Sequence, residues 1–140
     1  MSVSKNSARF QVKTTESLSI LNKTRRATPR LSFFDIKNKV LGKNYDLSLV
    51  FIGDTRSHTL NKKYRNKDSS ANVLSFPLSE KAGEMFIDLT TTEKEASKYD
   101  RTYKKFVGFL FIHGLFHLKG FRHSSTMENK EKNIRRQFDL

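Results

Sequence analysis

The amino-acid sequence predicts a single α/β domain over residues 1–140, with a small mixed β-sheet of about four strands packed against helices. Short runs with strand character alternate with helical segments along the chain, which is typical of α/β folds. The sequence contains neither an internal repeat nor a long linker, and 140 residues are enough to bury one sizeable core. A candidate metal site falls on a helix in the C-terminal half.

The N-terminal third carries the weakest pattern. Residues 9–14 alternate enough to predict a short strand, and residues 15–44 are predicted to be mostly helical. A polar, basic stretch at residues 22–30 contains Pro29 and interrupts the helical region, because proline disrupts a helix interior. After this break, residues 31–42 predict a helix that ends at a glycine.

The central region predicts strands and one helix. Residues 46–54 form a nearly continuous apolar run, which is typical of a buried strand. Residues 55–65 then predict a helix, and residues 66–70 a loop. Two further strands are predicted over residues 71–78 and 83–89, paired antiparallel with each other through a short turn.

The C-terminal region predicts three helices. The first begins at Thr90, where a threonine cap followed three residues later by Glu93 matches a capping box. A second, largely apolar helix spans residues 102–119. A short amphipathic helix over residues 124–139 closes the chain, with a serine or threonine at its N-cap.

Composition narrows the classes of function. The chain has 27 Lys and Arg against 14 Asp and Glu, a net charge of +13, so a polyanion such as nucleic acid is the favoured partner. The absence of cysteine excludes disulfides, thiolate metal ligands and a cysteine nucleophile. We expect no signal peptide, no membrane span and a cytoplasmic location, because the N-terminus is polar and the longest apolar run is interrupted.

The segment HGLFHLKGFRH places three of the four histidines close together in sequence, at His113, His117 and His123. Two histidines four residues apart share one face of a helix, with Cβ atoms ~5–6 Å apart. Gly120 can end that helix in the left-handed conformation and return His123 towards the pair. Three imidazoles leave a fourth position open, which is typical of a catalytic zinc or similar divalent ion.

The same histidine spacing occurs in metalloproteases of the HExxHxxGxxH type, and Met127 resembles the methionine of their Met-turn. In those enzymes a glutamate that acts as general base follows the first histidine. Here that position is Gly114, which makes a metalloprotease the less favoured hydrolase.

A second set of candidate residues is basic and precedes the apolar strand at residues 71–78. Arg65 lies where the preceding helix ends, and a guanidinium can bind a phosphate through two parallel hydrogen bonds. Lys62, Lys63 and Lys67 are candidate RNA-binding residues, although exposed lysines on a helix are as often simply solvated.

These segments resemble a known family. LNKKYRNKDSSANVLSFPL, residues 60–78, resembles LNxxYRxKDxPTNVLSFP of the YbeY family of bacterial endoribonucleases, and HGLFHLKGFRH resembles its signature HGxLHLxGYDH. GEMFID and the following EKEA resemble the strand and helix between the two motifs. The resemblance covers about residues 46–131. Arg122, Ala71 and Glu84 depart from the Asp, Thr and Asp that are usual in the family.

The resemblance implies a metal-dependent, single-strand-specific endoribonuclease that acts in ribosomal RNA maturation at the 3′ end of 16S RNA and in ribosome quality control. It implies one Zn²⁺ or other divalent transition metal ion per chain, held by His113, His117 and His123, with Arg65 assisting catalysis in the same cleft. The ribosome and its assembly factors would be the partners.

The predicted mechanism is attack on the phosphodiester by a metal-bound water or hydroxide. Attack by the ribose 2′-hydroxyl is an equally compatible route. Glu84 is the nearest candidate for a general base. A competing interpretation from another class is an RNA-binding ribosome-assembly module in which the metal is structural.

Overall fold

The computed structural model describes residues 11–15, 17–65 and 72–140. The sequence-predicted loop at residues 66–70, together with Lys67 and Ala71, lies outside the described residues. Ten principal elements follow in chain order: β1 (Gln11–Thr15), β2 (Leu18–Asn22), α1 (Phe33–Leu41), β3 (Asp46–Ile52), α2 (Asp54–Arg65), β4 (Val73–Ser79), β5 (Ala82–Asp88), α3 (Leu89–Ala96), α4 (Tyr103–Leu118) and α5 (Ser125–Gln137).

The strands form one mixed sheet in the order β1-β2-β3-β5-β4. β3 pairs in parallel with both β2 and β5, whereas β1 and β4 add antiparallel strands at the two edges. The α/β class with a small mixed sheet is therefore confirmed, and so is the antiparallel pairing of β4 with β5. The sheet has five strands, one more than the approximate number predicted.

The additional strand is β2, and the prediction that residues 15–44 are mostly helical is wrong for residues 18–22. The short run LSILN suits a strand or one side of a helix equally well, so its own pattern does not decide. Leu18 pairs with Leu47 of β3, and the alternate residues Leu18 and Ile20 are buried. Pairing with a strand almost 30 residues away in sequence determined its conformation. The helix predicted after the break is confirmed as α1.

The polar stretch between β2 and α1 is a loop, as predicted, and the Asn22 side chain organises it. Its amide donates to the backbone oxygen of Arg26 at 2.8 Å and to Thr28 Oγ1 at 3.0 Å, while its oxygen accepts from the Thr24 N–H at 2.8 Å. Asn22 is only 1% exposed, so these bonds satisfy a buried amide that would otherwise be destabilising.

The predicted capping box of α3 is wrong. The helix begins at Leu89, and the side chain of Asp88 accepts a hydrogen bond from the Thr91 N–H at 2.9 Å. Aspartate is among the strongest N-cap residues, and it already stands at the end of β5, one residue before the helix. The predicted cap of α5 is confirmed, because Ser124 accepts a hydrogen bond from the Met127 N–H. Thr102 caps α4 in the same way, by accepting from the Lys105 N–H.

The core lies between the sheet and helices α1, α4 and α5. Phe33 of α1 contacts Phe51 of β3 and Phe111 of α4, with ring centroids 5.7 and 4.9 Å away. Helix α4 is the central element, since it contacts β4, β5 and all three of α1, α3 and α5. None of the helices in the described residues is long and apolar enough to cross a membrane.

Candidate metal centre and cleft

Helix α4 and the turn that follows it position the three histidines. The helix ends at Leu118, and Gly120 adopts a φ of 101°, a left-handed conformation that favours glycine. The Gly120 N–H donates to the carbonyl of His117 at 3.0 Å, and the Phe121 N–H donates to that of Phe116 at 3.0 Å. The predicted reversal at Gly120 is therefore confirmed, and it returns the chain towards the end of α4.

The three imidazoles lie together. One ring nitrogen from each of His113, His117 and His123 falls within 4.8 Å of the others, a grouping that can hold a metal ion. The Nε2 atoms of His113 and His117 are 3.0 Å apart. In a tetrahedral zinc site with bonds of 2.0–2.1 Å, ligand nitrogens are roughly 3.3 Å apart, so this pair has a suitable spacing. His123 is exposed, and the other two are half-buried.

Hydrogen bonds at the opposite ring nitrogens orient two of the histidines. His117 Nδ1 donates to the carbonyl oxygen of Phe121 at 3.1 Å, and His113 Nδ1 donates to Glu131 Oε2 at 2.8 Å. Because a carbonyl only accepts and the carboxylate is the better acceptor, the proton belongs on Nδ1 in each neutral ring. The two Nε2 lone pairs then face each other, an unfavourable arrangement that a cation between them would relieve.

The charge state of His117 also suits a metal ligand. Burial lowers the pKa of His117 below its ordinary value, and the neighbouring His113 lowers it further. The ring is therefore neutral near pH 7, which is the form that binds metal ions. The chemistry of the donor set thus fits the divalent transition metal that the sequence predicted.

Glu131 is the important site residue that sequence reasoning missed. It lies on α5, is 3% exposed, and has an Arg135 nitrogen 3.9 Å from its second oxygen. Metal-bound histidines commonly donate their other nitrogen to a carboxylate in this way. A signal was present in the sequence, because Met127, Glu131 and Ile134 share the buried face of α5 at helical spacing. A charged residue on an apolar face requires a partner.

The histidines open onto a cleft of about 650 Å³ between α4, β4 and the end of α2. Arg65 lines this cleft with them, so the structure brings together the two constellations that the sequence suggested. Lys62 and Lys63 line a separate surface of α2, together with the exposed side chain of His58. The remaining lining residues are Asn72, Val73, Ser75, Tyr99, Phe106, Phe109 and Leu110.

The surroundings of Gly114 leave no space for the glutamate base that metalloproteases have at this position. A Cβ built on Gly114 would lie 2.7 Å from Met85 Cε and 2.9 Å from Ser75 Oγ, so this side of α4 is in tight contact with the sheet. A glutamate side chain would overlap both Met85 and Ser75. Glu84, the base suggested from sequence, precedes Met85 on β5 and therefore faces the opposite side of the sheet. It does not line the cleft, so that candidate is wrong.

The fold and the site together define an α/β protein whose open three-histidine centre lies in a cleft with an arginine. A family model described as Endoribonuclease YbeY matches residues 8–139, and the chain belongs to this family. The resemblance recognised in the two motifs is thereby confirmed.

Relatives named Endoribonuclease YbeY are about one third identical to this chain over the aligned residues. The one from Mycoplasma mycoides is 35% identical over 100 residues, which cover 62% of this chain and 61% of the relative. The one from Alkaliphilus metalliredigens is 32% identical over 108 residues, covering 69% and 70%. The solution structure of TM1509 from Thermotoga maritima is similar with a TM-score of 0.55 and 25% identity, covering 73% of this chain and 75% of that one.

Proposed function

We propose that this protein is a metal-dependent endoribonuclease acting on single-stranded RNA. The observation that carries the proposal is the convergence of three imidazoles, two of them with Nε2 atoms 3.0 Å apart, beside Arg65 in one open cleft. Family membership supports the same activity, since the relatives are named endoribonucleases. His113, His117 and His123 are the proposed ligands of one zinc or other divalent transition metal ion.

The protein's own residues contribute mainly by orientation and charge. Glu131 and the carbonyl of Phe121 keep two imidazoles in the tautomer that directs Nε2 inward. A bound divalent ion acidifies water and offsets negative charge on a phosphate. Arg65 is proposed to bind a non-bridging phosphate oxygen and to stabilise the charge that builds up on phosphorus.

No Asp or Glu lines the cleft among the described residues. Glu131 is buried behind His113, so it acts on the histidine and does not reach substrate. Within the part of the chain that the structure describes, the site therefore offers no carboxylate base, and attack by water and attack by the ribose 2′-hydroxyl are both compatible with it. A single 2′-deoxy substitution at the cleavage position separates the two, because it stops only the second route.

The open side of the centre favours an enzyme over a structural metal site. A structural zinc is usually closed by four protein ligands, whereas here His123 is exposed and the group opens into the cleft. We propose the ribosomal RNA precursor, at the 3′ end of 16S RNA, as the substrate, the ribosome and its assembly factors as partners, and a cytoplasmic location. The net charge of +13 supports a polyanionic substrate.

Replacing His113 by Ala tests the proposal. The variant should lose bound metal and RNA cleavage together while its circular dichroism spectrum stays unchanged, because His113 is a partly exposed side chain at the cleft. His58→Ala is the matched control, since His58 is exposed on α2 outside the cleft. Undiminished cleavage by metal-free His113→Ala protein would overturn the mechanism.

Arg65→Ala tests the role of the guanidinium. The variant should keep its metal but lose about 10²- to 10³-fold in cleavage rate, the usual effect of removing one group that stabilises transition-state charge. Arg56→Ala is the control, because Arg56 is exposed on the same helix and does not line the cleft. Equal rates for the two variants at several ionic strengths would remove Arg65 from the mechanism.

A further inference from the structure

A row of aromatic rings leads from the protein surface to the histidine trio. Tyr99 contacts Phe106 with ring centroids 5.2 Å apart, and Phe106 contacts Phe109 at 6.0 Å. Phe109 in turn stacks on His113, with centroids 6.3 Å apart and an interplanar angle of 3°. All four rings line the cleft. Neither the proposed chemistry nor the metal centre requires such a row.

Tyr99 is the exposed end of this row. Tyr99 is 55% exposed, whereas Phe106, which its ring contacts, is only 2% exposed. Burial of an aromatic ring is favourable, and much of the Tyr99 ring is left exposed to solvent. The ring of Tyr99 is therefore supported by Phe106 on one side and available to a ligand on the other.

The backbone holds Tyr99 in place before any ligand binds. Asp100 adopts a left-handed φ of 53°, and its N–H donates to the carbonyl of Ser97 at 3.1 Å. The Arg101 N–H donates to the carbonyl of Ala96 at 3.0 Å, which closes the turn at the end of α3. A backbone fixed by such a turn loses little conformational entropy on binding.

Cations accompany the aromatic row. The guanidinium carbon of Arg101 lies 4.2 Å from the ring centroid of Phe109, and that of Arg135 lies 5.0 Å from it. Arg65 lines the same cleft. Aromatic faces interleaved with arginines are the arrangement by which proteins bind single-stranded nucleic acid, with bases stacked on the rings and phosphates near the cations.

We propose that Tyr99 is a stacking platform for an unpaired base of single-stranded RNA, a few nucleotides from the phosphate that lies at the histidine trio. For its substrate class this inference rests on the proposed function. It adds a specificity-determining residue, because a base can stack on Tyr99 only when its own face is free, and bases within a duplex have both faces covered. Tyr99 thereby favours single strands over duplexes.

Equilibrium binding of a short 2′-O-methyl oligouridine to the full chain tests the platform. Tyr99→Ala should weaken binding by roughly 5- to 150-fold, the range for losing one base–aromatic stack, and Tyr99→Phe should restore it to within about twofold. Tyr64→Ala is the matched control, because Tyr64 is 57% exposed and does not line the cleft. Equal losses for Tyr99→Ala and Tyr64→Ala, or no loss for Tyr99→Ala, would overturn the proposal.

A fluorescence experiment tests stacking directly, because the chain contains no tryptophan. In Tyr99→Trp the single indole should be quenched on adding the oligouridine. It should be quenched much less by an abasic oligomer of equal length and charge, or by a duplex. Equal quenching by the oligouridine and the abasic oligomer would mean that charge alone brings the strand to Tyr99, and would overturn stacking.

These measurements do not depend on cleavage. If Tyr99 binds the oligouridine as described but the protein cleaves no RNA, the platform stands and the proposed nuclease activity fails. If the protein cleaves RNA normally and Tyr99→Ala binds as tightly as the wild type, the nuclease activity stands and the platform is overturned.

Discussion

The two sides of helix α4 differ in whether they can accommodate additional atoms or polar groups. On its core side, which faces the sheet and α1, Gly114 lies against Met85 and Ser75 and leaves no room for even a Cβ. On the opposite side, called the cleft side, His113 and His117 line the cleft and are half-buried. The Nδ1 of each makes a hydrogen bond. One helix thus anchors the fold and supports the candidate metal centre.

The difference shows how a largely apolar helix can carry polar chemistry. The histidines are tolerated on α4 because each Nδ1 has an acceptor supplied by a segment that follows the helix, Glu131 of α5 or the carbonyl of Phe121. On the core side, the surroundings of Gly114 leave no space for a new side chain. Substitutions on the core side should therefore affect stability, and substitutions on the cleft side should affect metal binding.

The largest effect is expected for Gly114→Glu. The side chain would overlap Met85 and Ser75 and bury a carboxylate among apolar groups, so the free energy of unfolding should fall by at least ~4 kcal/mol. Urea denaturation measures this loss. Gly53→Ala is the control, because a Cβ there would meet its nearest atom at an ordinary 3.8 Å. A Gly114→Glu protein as stable as Gly53→Ala would contradict the assignment of a core side.

On the cleft side, Glu131→Gln should weaken metal binding by about 10- to 100-fold, the usual effect of altering the partner of a ligand histidine. The amide still accepts a hydrogen bond from His113 but lacks the negative charge that makes the imidazole a stronger donor to the metal. Competition with a chelator measures the affinity. Glu128→Gln on the exposed side of α5 serves as control. Equal metal affinities for Glu131→Gln and Glu128→Gln would show that Glu131 does not influence the metal centre.

The core of the described part of the chain also contains a buried ammonium group, that of Lys37 on α1. It is 0% exposed, and its Nζ donates to Ser17 Oγ at 2.7 Å. Burial lowers the pKa of Lys37 below its ordinary value, although the charge of Asp46 acts in the other direction. Between the lowered pKa and the unfolded value of ~10.4, the unfolded chain binds the proton more strongly, so stability contributed by this group rises with pH.

Lys37→Met should remove that pH-dependent contribution, which amounts to at most ~1.4 kcal/mol per pH unit for one proton. The difference between the wild-type and variant unfolding curves isolates Lys37. This subtraction matters because burial raises the pKa values of Tyr45 and Tyr103, whose contributions fall as the pH rises above ~10. Parallel curves for the two proteins would show that Lys37 keeps its ordinary pKa when folded.

The smallest effect is expected for Ser75→Ala, at the boundary between the two sides. The hydroxyl of Ser75 donates to the carbonyl of Gly114 at a long 3.3 Å. Losing this bond should lower the free energy of unfolding by about 0.5–1 kcal/mol and leave metal affinity unchanged. Thermal unfolding with metal titration measures both. A loss of metal affinity would mean that Ser75 helps to orient α4 at the cleft.

Much of this arrangement could be predicted from the sequence because its causes are local. The helical spacing of His113 and His117 and the left-handed turn at Gly120 depend on residues within one or two helical turns. The apolar run of β3 and the Ser124 cap of α5 are local signals of the same kind. The two family motifs then linked Arg65 to the histidines before the cleft was known.

The tertiary structure decided what depends on residues distant in sequence. LSILN became β2 because β3 offered backbone partners, and Glu131 became part of the centre because α5 packs across α4. Glu84 was excluded by the side of the sheet that it faces, which follows from register. Local spacing determines which side chains share a face, but only packing between elements determines what that face meets.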